Sequence, residues 1–223
     1  ELVARKLAVI SDVPVITAPD LIEATSDTGG FVQLSGVLKR TSTKLSKICN
    51  DLRLLSSGPR AGFGEINLPP MQPGSSIMPG KVNPVIPEVV NQVCFDVIGG
   101  DVTITMAAEA GQLQLNAFEP VIAYRLLRSI DMLRAACLVL RERCVTGITA
   151  NVDRMRTFVE QSIGIVTALV PVLGYEVATE VAKEALDTGR GVFDVVLDRG
   201  VLTRAQLDEI LNPAAMTAPR SVN

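Results

Sequence analysis

The sequence contains no histidine and no tryptophan, and aromatic residues make up only 4% of its 223 residues. Without histidine, the chain carries no Ser-His-Asp triad and no histidine-based zinc site of its own. Its net charge is −3, from 21 basic and 24 acidic side chains. That balance gives neither the basic surface of a nucleic-acid-binding protein nor attraction to an anionic membrane, so neither partner is expected.

Cysteines are few and widely spaced. Cys49, Cys94, Cys137 and Cys144 include no CxxC pair, so they do not indicate a disulfide scaffold in a chain of this length. Small free thiols within helices suit a reducing compartment, which predicts a cytoplasmic location. We expect Cys94 and Cys137 to be buried.

Long apolar runs are also missing, although the mean hydropathy is +0.33 and 48% of the residues are hydrophobic. Proline and glycine interrupt the longest uncharged stretches, residues 66–80 and 161–175, and both fall short of the roughly 20 residues that a membrane-spanning helix needs. The apolar excess is therefore expected in an aliphatic core or a large subunit interface. The chain starts at Glu1 rather than at Met, which suggests that its natural N-terminus is missing.

Apolar residues recur at helical spacing in three long segments. The pattern predicts helices over about 32–57, from Asn83-Pro84 to about Gly111, and over about 118–144, with Asn83 as the N-cap of the second helix and Pro84 at its first position. The expected buried stripes are Leu34, Leu38, Thr41, Leu45, Ile48, Leu52 and Leu55; then Ile86, Val90, Val93, Val97, Gly100 and Ile104; and then Ile122, Leu126, Ile130, Leu133, Cys137, Leu140 and Cys144. Three such helices predict a long bundle.

Shorter helical segments follow residue 148. They are expected at about 151–160, 162–172, 175–188, 190–199 and 203–211, with breaks at Gly174, Gly189 and Gly200 and a capping box that starts at Thr203. The predicted fold is all-α. Residues 1–148 would belong to a long central helix bundle, and residues 149–223 would form a small C-terminal helical domain.

One loop concentrates the polar groups that could carry chemistry. Region 58–83 is too rich in glycine and proline for a regular element, and it ends in Gly74-Ser75-Ser76-Ile77-Met78-Pro79-Gly80-Lys81-Val82-Asn83-Pro84. Lys81, together with free amides at the start of the next helix, could hold a carboxylate or phosphate. From these residue types alone, an anion site and an ordinary surface loop remain alternatives. A Walker A motif is excluded because Val82 follows the lysine.

The whole string 74–84 resembles the signature of the fumarase/aspartase superfamily of lyases. Residues 50–60 and 65–69 are similar to the segments that precede this loop in the family, and residues 87–94 and 107–116 resemble the members that act on aspartate more than those that hydrate fumarate. The likeness covers essentially the whole chain and is weaker after about residue 150. It implies reversible elimination of ammonia from L-aspartate to give fumarate without a cofactor, and the sequence indicates no metal-ligating residues.

The resemblance also implies a role for each residue of the loop. Ser75 would be the general base, and Ser76 would help to hold the carboxylate that becomes the aci-acid. Lys81 and Asn83 would hold the other carboxylate, and Met78 would pack beside the substrate. A further position matches a family glutamate that pairs with an earlier segment: Glu88, for which a simple first-turn carboxylate is an equal alternative.

Two further motif regions of the family have no counterpart in this sequence, which resembles the C-terminal half of a subunit. Family members are homotetramers whose active sites take residues from three subunits, so we expect this chain alone to be inactive. Hydration of fumarate to malate is the alternative within the same chemistry. A non-catalytic scaffold with the lyase fold is the alternative from another class.

Overall fold

The computed structural model describes residues 1–58, 60–74, 78, 80–212 and 216. The chain divides into two compact units, Glu1–Thr149 and Ala150–Asn223, so the division falls one residue beyond the predicted boundary. Among the described residues, helices dominate both units, and the only sheet pairs two short strands. The all-α prediction is therefore confirmed.

The first unit is built on three long helices that pack side by side. The elements in this unit are α1 (Leu2–Ser11), a 3-10 helix (Glu23–Thr25), α2 (Gly29–Leu55), β1 (Ile66–Asn67), α3 (Val85–Glu109), α4 (Glu119–Arg143) and a 3-10 helix (Val145–Gly147), and β1 pairs with β2 (Thr149–Ala150). At 27 residues, α2 is about 40 Å long at 1.5 Å per residue. The central helix α3 packs against both α2 and α4. All three predicted long helices are present.

The buried face of α2 differs from the predicted stripe. Leu34 is 41% exposed and Ile48 is 50% exposed, whereas serines and a cysteine face the interior. The buried residues of α2 are Ser35, Ser42, Ser46 and Cys49. The prediction of burial was wrong for Leu34 and Ile48. Three other leucines of the stripe are partly buried and pack against the core: Leu38, Leu45 and Leu52. Small side chains occupy the positions closest to the neighbouring helices, so the apolar stripe lies at the edge of the contact rather than at its centre.

The stripes of the other two long helices agree better with the prediction. On α3, Val90, Val97 and Ile104 are buried and line the contact with its neighbours. On α4, Ile130 is 39% exposed and Cys137 is exposed, so both predictions of burial were wrong there. Ser129 and Ala136, one position earlier in each case, occupy the interior instead. Small residues again lie where helices meet.

The second unit is a cluster of short helices around an aliphatic core. It contains α5 (Val152–Gln161), a 3-10 helix (Ile163–Leu169), α6 (Val170–Leu173), α7 (Tyr175–Thr188), α8 (Val192–Asp198) and α9 (Arg204–Ile210). The predicted helix at 162–172 is split between two helix types because Pro171, which lacks an amide N–H, cannot continue an α-helical ladder across that point. The predicted capping box is confirmed: Thr203 and Gln206 exchange side chain-to-backbone hydrogen bonds of 2.9 and 3.4 Å.

No single helix in the described parts of the chain is long and apolar enough to cross a membrane. The pair Val152–Gln161 and Ile163–Leu173 passes the same test only when taken together, and it bends by 72°.

Candidate functional site

The candidate loop connects β1 to the start of α3. Ser75 and Ser76, the predicted general base and its neighbour, lie outside the described residues, as do Ile77 and Pro79. The described residues on either side are Gly74 and Met78, and then the run from Gly80 to Pro84.

A close backbone approach forms the neck of this loop. A β-carbon at Gly74 would lie 2.8 Å from the carbonyl oxygen of Lys81, so the two ends of the segment meet where only glycine fits. The Lys81 amide donates to the carbonyl of Met78 at 3.2 Å, and Gly80 adopts φ +81°, in the left-handed region. The chain thus turns sharply and brings Lys81 back towards the residue that precedes Ser75.

Helix α3 starts one residue later than predicted. Pro84, not Asn83, occupies the N-cap, and no side chain caps the helix. The first turn also offers fewer free amides than the sequence suggested: Val85 donates to the carbonyl of Asn83 at 2.9 Å, Pro87 has no N–H, and Glu88 donates to the carbonyl of Pro84. An anion at this position would therefore depend on side chains more than on helix amides.

The side chains of Lys81 and Asn83 are available for that purpose. None of the ion pairs among the described residues includes Lys81, which is exposed. Asn83 is half-buried, and its amide is not used to cap the helix. Since the two residues are separated by one position, the structure keeps a cationic donor and an amide donor close together. Such a pair can bind a carboxylate.

Met78 and Glu88 flank these two residues along the chain. Met78 is 55% exposed, so a large part of the residue lies at the surface. Glu88 is half-buried in the first turn of α3, where the helix dipole favours a carboxylate. Its backbone carbonyl accepts a 3.4 Å hydrogen bond from the Gln92 side chain.

A buried polar cluster joins the end of α2 to α3 one turn after Glu88. Asn91, only 2% exposed, donates to Ser46 Oγ at 2.8 Å and to Asn50 Oδ1 at 3.1 Å. Its own Oδ1 accepts a 3.4 Å hydrogen bond from Arg53. The sequence predicted no role for this cluster, although Asn50, Arg53 and Asn91 lie within the segments that resemble the family. The available signal in the sequence was an asparagine next to the apolar stripe of a predicted helix, because a polar side chain that is buried there must find hydrogen-bond partners.

Another buried asparagine, Asn116, lies in the segment between α3 and α4. Asn116 is 3% exposed, and its Nδ2 donates to the carbonyls of Ala107 and Ala108 at 3.0 and 3.2 Å. Its Oδ1 accepts from the amide of Phe118 at 2.8 Å. This residue therefore satisfies the end of α3 and the start of α4 together. The string 112–116, which distinguishes branches of the family by resemblance, forms a structural turn here.

Thiols and carboxylates do not form a metal centre in the described part of the chain. No group of three or more such side chains is placed to hold a metal ion. Burial, followed by the nearby thiols of Cys94 and Cys144, raises the pKa of Cys49 to about 11. All four cysteines are free. The three buried ones, Cys49, Cys94 and Cys144, pack in the core of the first unit.

The chain is similar to known lyases over most of its length. Residues 1–99 match the family described as Lyase, and residues 165–218 match Fumarase C C-terminus. An aspartate ammonia-lyase from Pseudomonas fluorescens is 63% identical over 99% of this chain and 46% of its own length. The chain thus spans about half the length of the curated relatives it matches.

Solved structures with the same architecture agree with these matches. A fumarate lyase:delta crystallin from Brucella melitensis is 57% identical, with a TM-score of 0.90 over 97% of this chain and 47% of its own. A class II fumarase from Schistosoma mansoni is 33% identical, with a TM-score of 0.84 over 99% of this chain and 47% of its own. In each case, the similarity covers about half of the relative.

Proposed function

Because this chain belongs to the fumarase/aspartase superfamily and is most similar to aspartate ammonia-lyases among the relatives above, we propose that the complete subunit converts L-aspartate reversibly to fumarate and ammonia. One observation carries the proposal. Lys81 and Asn83 lie just before α3, at the end of the loop that bears Ser75, and neither helix capping nor an ion pair among the described residues uses their side chains.

Ser75 is proposed to remove a proton from the substrate carbon next to a carboxylate. The electron pair moves into that carboxylate to give an aci-carboxylate, and departure of ammonia from the neighbouring carbon then yields fumarate. A serine hydroxyl is a weak base, so its alkoxide needs stabilisation by nearby donors and positive charge. Lys81, which returns to the neck of the same loop, can supply that charge.

Other residues of the loop are proposed to bind different groups of the substrate. Ser76 is proposed to support the carboxylate that becomes the aci-acid, and Lys81 and Asn83 to hold the other carboxylate. An amide can donate to a carboxylate and can also meet an amino group, which suits Asn83 to aspartate. Met78 packs beside the substrate, and Glu88 pairs with a residue of an earlier segment.

We further propose that the subunit assembles as a homotetramer with shared active sites. The support is the outward face of the three long helices, where large apolar side chains are exposed in the separated chain. They include Val37, Ile48, Phe95, Val102, Met106, Tyr124 and Leu127, each at least half exposed. Rows of apolar residues on helices of this length need a partner surface. Because relatives are about twice as long, the chain by itself is expected to be inactive.

Fumarate formation, followed by ultraviolet absorbance, tests the assignment. L-aspartate and L-malate are supplied in parallel to the complete subunit and to its Ser75→Ala variant. Activity on aspartate alone that disappears in the variant supports both the reaction and the base. Activity on malate alone assigns the protein to the fumarases, which include the Schistosoma mansoni enzyme to which this chain is similar. No activity on either substrate by an intact tetramer favours a non-catalytic scaffold.

A further inference from the structure

We propose that the turn at the end of α4, residues 143–147, is a clamp that holds both stems of the 74–84 loop and thereby positions Lys81 and Asn83. The inference rests on the proposed function, because it explains how a loop without regular structure could present these side chains in a fixed place. Gly147 is the positioning residue at the centre of the clamp.

The first stem is held at Pro69. A β-carbon at Gly147 would lie 2.5 Å from Pro69 Cγ and 3.5 Å from its Cβ, so the two residues touch where no larger side chain fits. The backbone of Gly147 does not lie in the left-handed region. The contact with the proline ring, rather than the backbone conformation, therefore requires glycine at this position.

A hydrogen bond reinforces the same stem. Asn67 Nδ2 donates to Thr149 Oγ1 at 3.1 Å, and β1 pairs with the strand that contains Thr149. Residues 66–69 are thus attached at two points, Gly147 and Thr149, to the segment that follows α4. Pro69 and Pro70 fix their own φ angles, so a displacement at Gly147 would be carried along a stiff segment towards the loop.

The second stem meets the same turn. Pro84 and Pro87, at the start of α3, line a narrow cavity with Leu68 and Pro69 of the first stem and with Arg143 and Cys144 of α4. The cavity measures about 10 Å³, no more than a single water needs, so this is a packing contact rather than a ligand site. Residues on both sides of the loop therefore rest on one turn.

The turn itself is well fixed. Cys144 is 1% exposed, and its carbonyl accepts a 3.1 Å hydrogen bond from the amide of Gly147. Thr146 Oγ1 donates to the carbonyl of Arg141 at 2.7 Å, which ties the turn to the last residues of α4. A fixed turn with contacts to both stems is the arrangement that supporting residues need to hold a binding group in place.

Gly147→Ala in the complete subunit tests the clamp. The new methyl group must displace Pro69, so we expect some loss of stability from overpacking. In the folded variant, kcat/KM for aspartate should fall by about tenfold or more, as for a misplaced binding group. Amide hydrogen exchange of peptides that cover residues 72–84 should become several-fold faster. Adding Pro69→Ala, which removes Cγ and leaves the nearest atom of residue 69 at 3.5 Å, should restore both quantities.

Gly164→Ala is the matched control. Gly164 also lies in a 3-10 helix, but a β-carbon there meets nothing closer than 3.5 Å, so neither activity nor exchange should change. If Gly147→Ala does not fold, Pro69→Ala alone loosens the same contact, and faster exchange over 72–84 is expected.

The exchange measurement separates failure of the clamp from failure of the proposed function. Faster exchange that Pro69→Ala reverses, in a protein inactive on both aspartate and malate, would support the clamp and overturn the function. Unchanged exchange and unchanged kcat/KM in a folded Gly147→Ala protein would overturn the clamp. Faster exchange with unchanged kcat/KM in an active enzyme would overturn its positioning role.

Discussion

An asparagine lies on each side of α3 along the chain, and the two differ in whether the fold uses their side-chain amides. At the far end, Asn116 is buried and three backbone groups use its amide. At the near end, Asn83 precedes a helix whose start no side chain caps, so it makes no capping bond. The side-chain amide of Asn116 is thus used by hydrogen bonds within the fold, whereas that of Asn83 remains available for a ligand.

The difference has a physical basis. A turn that joins two packed helices leaves buried carbonyls and amides that need partners, and Asn116 supplies them. A binding loop needs donors that are not already paired, because a donor must give up existing hydrogen bonds before it can meet a ligand. Polar groups that are not paired within the fold therefore indicate where a ligand binds better than the residue types alone.

The strongest test of this comparison is Ser75→Ala, at the near end. Loss of a general base is expected to lower kcat by about 100- to 10,000-fold, whereas the free energy of unfolding should stay unchanged. Fumarate absorbance and urea unfolding measure the two quantities in the complete subunit. Ser11→Ala, an exposed serine on α1 that bonds only to the carbonyl of Leu7, is the control and should change neither.

Replacing each asparagine by alanine in a separate variant tests whether one serves binding and the other stability. Asn83→Ala should lower kcat/KM for aspartate by about 10- to 100-fold, the contribution of a hydrogen bond to a charged group, with little change in stability. Asn116→Ala should leave kcat/KM unchanged in the folded protein and reduce the free energy of unfolding by about 1–3 kcal/mol, because buried carbonyls lose their donor. The comparison fails if both variants lose stability and keep activity.

Asp101, in the middle of α3, is a buried carboxylate whose hydrogen bonds should make the stability of the fold depend on pH. Burial raises the pKa of Asp101, but hydrogen bonds from Ser35 at 2.7 Å and Lys39 at 3.0 Å outweigh it and hold the pKa below its ordinary value of 3.8. A lowered pKa in the folded state contributes stability above pH 3.8, and this contribution disappears as the pH falls through the folded value.

Asp101→Asn is therefore expected to cost about 1–2 kcal/mol at neutral pH and progressively less below about pH 4. Urea unfolding at several pH values measures the difference from the unsubstituted protein. Asp131→Asn on α4, an exposed carboxylate, is the control and should show no such convergence. A difference that stays constant across the acid range would show that the charge of Asp101 contributes nothing.

Much of this fold could be predicted from periodicity, and the failures share a cause. The ends of α2, α3 and α4 lie within a few residues of the predicted bounds because glycine, proline and polar residues mark them. The buried faces of α2 and α4 were partly wrong because apolar spacing identifies a stripe but not its partner. Ser35 and Ser42 face the interior, while the apolar stripe of α2 is only partly buried at the edge of the same contact.

The candidate loop could be selected from sequence, but the state of its groups could not be predicted. The string 74–84 identified the loop by resemblance, and the structure keeps Lys81 and Asn83 together at its end. That Val85 uses its amide on Asn83, and that Pro84 rather than Asn83 is the N-cap, depends on backbone geometry that residue types do not specify. The contact between Gly147 and Pro69 joins residues too distant in sequence for any local pattern to indicate.

The smallest expected effect concerns the cysteines, whose reactivity should differ because some thiols are buried and one is exposed. Cys49, Cys94 and Cys144 are buried, and burial raises the pKa of each, so few thiolates form at neutral pH. Cys137 is exposed. Iodoacetamide should therefore modify Cys137 first in the separated chain, as peptide mass spectrometry would show.

In the complete assembly the same reagent reports on the outward face of α4. Cys137 lies two helical turns after Ile130, and both are exposed on α4, the helix that also carries Tyr124 and Leu127 of the proposed tetramer interface. Labelling of Cys137 should slow in the tetramer and recover when mild denaturant separates the subunits, while the three buried thiols react only on unfolding. Equal labelling in both states would place Cys137 outside the subunit interface and restrict the apolar contact to α2, α3 and the rest of α4.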